Sequence, residues 1–247
     1  MVAIFNTHFM GYVCVALLGC GAVFDRANYA LAVGIEADVQ DCQGAVERHE
    51  YDYAREICRR LGEQGEAEAQ FEFGKLLEMG HGGTRDYPEA LVWYRRAAEQ
   101  DYAQAQYRLG EAYIDGDGVI QDFDAAMRFL HAASASGLAL AHLRLGDVYE
   151  GGKVVPQNYD EALRYYRLAA AQGVARAHYE LGEMHYDGKG VRVDLVKAHM
   201  YFNLSAFLGN RDAEFKRNFI TGYLSNEELV NAQRAARECF ERSFKSC

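Results

Sequence analysis

The sequence predicts an all-α fold, a superhelical solenoid of antiparallel helix pairs with a 36-residue period, and three observations predict it. Small residues recur in register: Gly74, Gly110, Gly146 and Gly182 form one row, Ala69, Ala105, Ala141 and Ala177 a second, and Ala90, Ala126, Ala162 and Ala198 a third. No insertion or deletion interrupts these rows across residues 66–209, and an unbroken period of this length marks stacked units that bury their apolar faces on one another. The apolar residues within each unit recur three and four apart, as on one face of a helix. Finally, the chain holds only 2 prolines among 247 residues, which suits a mostly helical chain.

Residues 1–32 come first. Phe9 to Phe24 are apolar or glycine throughout, and Ala30-Leu31-Ala32 has the small-x-small pattern of a signal-peptidase site. A signal peptide is expected, although the segment before Phe9 has no Lys or Arg; an uncleaved membrane anchor is the alternative. Leu17-Leu18-Gly19-Cys20 also matches a lipoprotein processing box, and a buried helix on the first unit is the plainest alternative. Export would leave Cys42, Cys58, Cys239 and Cys247, an even number with no CxxC pair. Cys42 with Cys58, across a turn near Glu50–Asp52, and Cys239 with Cys247 are candidate disulfides; four free thiols are the alternative.

Residues 33–65 read as a degenerate capping helix pair, the atypical end unit that a stack requires where it meets water. Four full units follow, 66–101, 102–137, 138–173 and 174–209. In the second, Ala105, Leu109 and Tyr113 mark the apolar face of a first helix, A, and Ala126, Phe129, Leu130 and Ala133 that of a second, B. The Asp115–Val119 loop between them is glycine-rich. Asp86, Asp122, Asn158 and Asp194 sit where each helix B begins and are predicted N-caps. Asp86 with Glu89, and Asn158 with Glu161, have the spacing of a capping box. Glycine inside helix A costs about 0.5–1 kcal/mol relative to alanine, so the Gly110 row predicts a close approach of helix B that a Cβ would obstruct. Residues 210–247 read as C-terminal capping helices, with a Ser225–Glu228 capping box and an amphipathic helix from Asn226 to about Phe244.

The charge and motif content narrows the function. A net charge of −10 with no basic run excludes nucleic acid as a main partner. Asp115, Asp117 and Asp122 fail the calcium-loop pattern, because Val119 and Ala126 occupy two ligand positions. His142 and His178 continue a row begun by Gln70 and Gln106, which suggests hydrogen bonds between units rather than a metal site. None of the 6 serines is followed by Lys at the third place, and there is no GxSxG, phosphate-binding or dinucleotide motif. No cofactor, metal or catalytic residue is therefore expected.

The unit pattern A-x-(Y/F/L)-x-(L/F)-G…G-x-G-V…D-(Y/F)-x-x-A…Y-x-x-A-A…G, best seen in YRLGEAYIDGDGVIQDF and EALRYYRLAAAQG, resembles the Sel-1-like repeat, a relative of the tetratricopeptide repeat. Unit three departs at Val154, where the others have glycine, and unit one at Leu77. The resemblance implies a right-handed superhelix that binds another protein or peptide in a concave groove lined by helix A. On that analogy the groove holds Phe71, Tyr107, Leu143 and Tyr179 in one row, Lys75, Glu111, Asp147 and Glu183 in another, and Glu68, Gln104, Leu140 and Arg176 in a third. The expectation is a non-catalytic exported adaptor, periplasmic or secreted. The alternatives are a secreted β-lactam-binding protein or hydrolase, since some relatives bind β-lactams, and a membrane-tethered assembly factor.

Overall fold

A computed structural model describes residues 39–245 and Cys247, and every regular element among them is a helix. Residues 39–47 form α1 and Tyr51–Glu63 form α2. Four hairpins follow: α3 (Ala67–Met79) with α4 (Tyr87–Ala98), α5 (Ala103–Asp115) with α6 (Phe123–Ala135), α7 (Ala139–Gly151) with α8 (Tyr159–Ala170), and α9 (Ala175–Asp187) with α10 (Leu195–Phe207). Each helix B then packs on helix A of the next unit, so the stack is continuous. The chain closes with α11 (Arg211–Thr221) and α12 (Asn226–Glu241), both lying against α10. The expected signal peptide or anchor falls outside the described residues, and no described helix is long and apolar enough to cross a membrane.

The glycine row marks the place where the two helices of each unit meet. Gly74 faces Tyr94, Gly110 faces Leu130, Gly146 faces Tyr166 and Gly182 faces Phe202. All four facing side chains are fully buried. A Cβ at Gly110 would lie 2.7 Å from Leu130 Cγ, and one at Gly182 2.7 Å from Phe202 Cδ1, closer than carbon atoms can approach. The helical cost of glycine is thus offset by seating a large side chain of helix B directly on the backbone of helix A. Ala105, Leu109, Ala126 and Ala133 are completely buried around this contact, and the Tyr113 and Phe129 rings stack 5.8 Å apart.

The four N-caps form as expected. Asp86, Asp122 and Asp194 each accept from the backbone N–H three residues on, and Asn158 accepts from Asp160 and Glu161. The two capping boxes predicted with them form only by half: Glu89 accepts from Trp93 Nε1 and Glu161 pairs with Arg164, so neither turns back to its cap. The complete box is at Ser225–Glu228. Replacing Asp122 by Ala strands the Ala125 N–H and is expected to lower stability by about 1 kcal/mol, read as a fall of about 2–4 °C in melting temperature.

Each helix A ends on a left-handed glycine, at φ 71°, 74°, 67° and 74° for Gly80, Gly116, Gly152 and Gly188. At the opposite end of the unit, Asp101 interrupts a glycine row yet keeps its conformation, with φ 59° against 81° and 77° at Gly137 and Gly173. Aspartate tolerates this region better than most residues, so the interruption leaves the turn intact. In unit three Val154 avoids positive φ and packs instead against the Leu145–Tyr165 cluster, which makes that loop locally different.

The two ends differ from the repeats. Cys42 of α1 is bonded to Cys58 of α2 (Cα–Cα 5.2 Å), and Cys239 to Cys247 (Cα–Cα 5.1 Å). The first turn is at Arg48–Glu50 rather than Glu50–Asp52, with His49 left-handed at φ 61°. The last helix stops at Glu241, short of Phe244, because Ser243 and Phe244 also take positive φ and Phe244 N–H donates back to Cys239 O.

Candidate functional site

Helices α3, α5, α7 and α9 lie side by side and present their outward residues as one surface. Its charges are largely tied to one another from unit to unit. Glu78 meets Arg108 at 3.7 Å, Glu111 meets Arg144 at 2.5 Å, Asp147 meets Arg176 at 3.2 Å, Glu150 meets Lys189 at 3.0 Å and Glu183 meets Lys216 of α11 at 3.0 Å. Single pairs of this exposure stabilise by less than about 1 kcal/mol, but a row of them fixes the register of neighbouring units.

The predicted groove residues stand in different relations to this ladder. Glu111, Asp147 and Glu183 belong to it, and Lys75 is bonded to Glu72 at 2.8 Å within its own helix. Tyr107 is half-buried and donates to Glu111 Oε2 at 2.9 Å, its phenol pushed up to about 12 by burial and then by that carboxylate. Tyr179 is half-buried against Phe202. Gln104 and Arg176 are exposed, the latter bridging Asp147 and Glu180. Phe71 corrects the expectation: it is only 8 % exposed, because the ring of Tyr102, which opens the next helix A, covers it at 5.3 Å. Leu143, in the same row, is buried for the same kind of reason and lines no groove.

A polar cavity of about 460 Å³ opens on this surface between units three and four, edged by Arg144, Asp147, Glu150, Arg176, Glu180 and Lys189. Burial pushes the Asp147 and Glu180 carboxyls up, against the opposing pull of Arg176. The Tyr166 hydroxyl lies between Asp147 (3.0 Å) and Glu150 (2.8 Å) and shares its one proton between the two carboxylates, so its phenol, raised first by burial, is a fixed donor at the cavity floor.

The Gln70 row has a structural role in three of its four members. Gln70 donates to Gly62 O, Gln106 to Ala98 O, and His142 Nδ1 meets Ser134 Oγ at 2.9 Å, each reaching eight residues back to the end of the preceding helix B. The Ser134–His142 contact is one member of that row, and among the described residues no carboxylate meets His142 to orient it as a catalytic base. Among the described residues no three His, Cys, Asp or Glu side chains converge as a metal site.

A model of the Sel1 repeat matches residues 67–102, 103–138, 139–174 and 175–210, more than half of the chain. The chain belongs to the Sel1 repeat family. A Sel1 repeat protein from Oxalobacter formigenes shares 23% identity and superimposes over 81% of this chain and 84% of its own, with a TM-score of 0.71. A protective antigen of uropathogenic Escherichia coli with an SLR fold is 28% identical over 78% of this chain and 50% of its own, with a TM-score of 0.51. The immunity protein Pa5087 from Pseudomonas aeruginosa is 21% identical over 85% and 81%, with a TM-score of 0.52. No curated protein matches the chain. Sel1 arrays are in general scaffolds for protein–protein interaction rather than enzymes.

The Sel1 units also locate surface residues that the sequence reading passed over. One period beyond Tyr179, Glu183 and Asp187 stand Phe215 and Phe219 of α11 and Tyr223 just past its end, exposed at 70%, 48% and 66%. Here α12 lies on α10 and scarcely touches α11, so α11 has no helix B of its own. For Phe215 and Phe219 the signal was available by adding 36 to the groove rows, but it fell in a segment read only as a cap.

Proposed function

We propose that this Sel1 repeat protein is a non-catalytic scaffold that holds a protein partner along the exposed face of α3, α5, α7, α9 and α11, and that it works outside the cytoplasm. The observation that carries the reading is the division of labour within the unit. The glycine and alanine rows that stack the array are the same in every unit, whereas the surface row of Glu68, Gln104, Leu140 and Arg176 differs in each. A surface that differs at every step on a uniform frame suits recognition of an extended or helical segment. Leu140, 51 % exposed in the middle of the face, is a candidate apolar anchor, and the aromatic stripe of α11 is a second.

Export is supported by the two disulfides, since such bridges persist in oxidising compartments. Residues 1–32 would then be a signal peptide, or a tether if retained; the mature N-terminus of secreted protein distinguishes them.

The test is capture from envelope extract with the full chain as bait. Leu140→Glu is expected to lose a partner that the parent recovers, with melting temperature unchanged because Leu140 supports no core. Undiminished recovery with Leu140→Glu would place binding elsewhere.

A further inference from the structure

The junction between the third and fourth units has a covering not found at the ends of the second and fourth. At Gly65, Gly137 and Gly209 an added Cβ would meet nothing within 4 Å, but at the equivalent Gly173 it would meet the Phe244 ring at 3.3 Å. Phe244 is carried there by Arg242–Lys245, which turns back from α12 through two left-handed residues and is tied down by the Cys239–Cys247 bond. Its ring lies 5.2 Å from that of His178 and 5.8 Å from that of Phe240. Beneath it a cavity of about 160 Å³ is lined by Arg167, Ala170, Leu181, Tyr201, Phe244 and Cys247. His178 is completely buried at the edge of this aromatic cluster, with the Ala170 carbonyl, eight residues back in the preceding unit, as its polar neighbour. His142 and His178 each pack on a helix B tyrosine, Tyr165 and Tyr201, but His178 has the Phe244 ring over it as well.

The two disulfides also differ in access. Cys42 and Cys58 are wholly buried, whereas Cys247 is exposed. Thiol exchange requires a thiolate to reach a sulfur, so a dithiol attacks the C-terminal bridge first.

We propose that the Cys239–Cys247 bridge is a redox latch on an aromatic socket: closed, it seats Phe244 against His178; opened, it frees that socket for an aromatic side chain of a partner protein. In the opening step a thiolate of a small dithiol attacks Cys247 Sγ, and the protein disulfide breaks as a mixed disulfide forms. The second thiol of the reagent then displaces Cys247, leaving an oxidised dithiol and two protein thiols that take up the two protons. With the tie gone, two residues at positive φ no longer have a covalent reason to stay there. Phe244 itself defines the guest, a flat ring entering between Gly173 and Tyr201. The latch adds a second contact to the scaffold reading and relies on it only for a partner's existence; failure of the test below sinks the latch without touching the Leu140 result.

The test labels histidines of the full chain with diethyl pyrocarbonate and follows His178 and His142 by peptide mass spectrometry. Both are buried, but only His178 lies under Phe244. In Cys239→Ser/Cys247→Ser, and in Phe244→Ala with both bridges intact, His178 is expected to react about tenfold faster or more while His142 stays slow. N-acetylphenylalaninamide is expected to restore protection at His178 in both variants. A His178 that stays slow in either variant would overturn the proposal. Equal acceleration of His142 would show that the bridge only holds the fold, and failure of the amide to protect would show that the socket takes no aromatic guest.

Discussion

Gly146→Leu is expected to destabilise the protein by about 3 kcal/mol, a fall of about 6–12 °C in melting temperature, while Gly151→Ala in the same helix leaves it unchanged or slightly raised. The difference lies in what each new side chain meets. A Cβ at Gly146 would stand 2.5 Å from Cδ1 and 3.0 Å from Cζ of Tyr166, a ring with no accessible surface. The ring cannot swing aside cheaply, because its hydroxyl is held between the Asp147 and Glu150 carboxylates at the polar cavity. Moving it would leave a buried phenol and a half-buried carboxylate short of a partner, in addition to the steric cost. At Gly151 a Cβ meets nothing within 4 Å, and alanine favours the helix by about 0.5–1 kcal/mol. Paired thermal melts decide the matter: equal melting temperatures for the two variants would mean that the glycine row does not set the distance between the helices.

The same row explains why so much of the fold was legible. A period without insertions places every glycine, alanine and cap in register, and each such residue acts within its own hairpin, where sequence spacing translates directly into contact. Legibility weakens as soon as a contact depends on the next unit or on the ends. Phe71 and Leu143 read as groove residues because helix A was assumed to face solvent there; only stacking shows that Tyr102 closes over Phe71. Glu89 and Glu161 have capping-box spacing, but Trp93 and Arg164, one helical turn further on, compete for their carboxylates and win. Glu111, Asp147 and Glu183 were recognisable as surface charges, yet their partners Arg144, Arg176 and Lys216 lie about one unit away, beyond any local pattern. Phe215 and Phe219 were missed for the converse reason. Their register is plain, but their exposure follows from α12 leaving α11 for α10, which no period encodes.

His178→Gln is expected to flatten the acid side of the stability curve. Burial drives the His178 pKa down to about 4, and the nearby Ala170 carbonyl offsets only part of that. An ordinary histidine in the unfolded chain titrates near 6.5. Because the folded value is the lower one, the unfolded chain takes up its proton first as pH falls. The neutral, buried imidazole therefore leaves stability undiminished above about pH 6.5 and withdraws it steadily toward pH 4, by about 3 kcal/mol at that point. His131, His142, His185 and His199 are also lowered, first by burial, and push in the same direction. Asp147 and Glu180 push the other way, since raised carboxyls favour the folded state once they protonate, so the net curve of the parent is shallower than the histidines alone would make it. Comparison with His178→Gln removes these shared contributions. Glutamine is the residue this row uses at Gln70 and Gln106, where it bonds to the preceding unit, so it suits the place without titrating. Urea unfolding of both proteins between pH 7 and pH 4 should give curves that converge, or cross, as the parent loses about 3 kcal/mol more than the variant. Parallel curves would mean that His178 is hydrated or protonated in the folded protein, and the aromatic packing around it would then need another account.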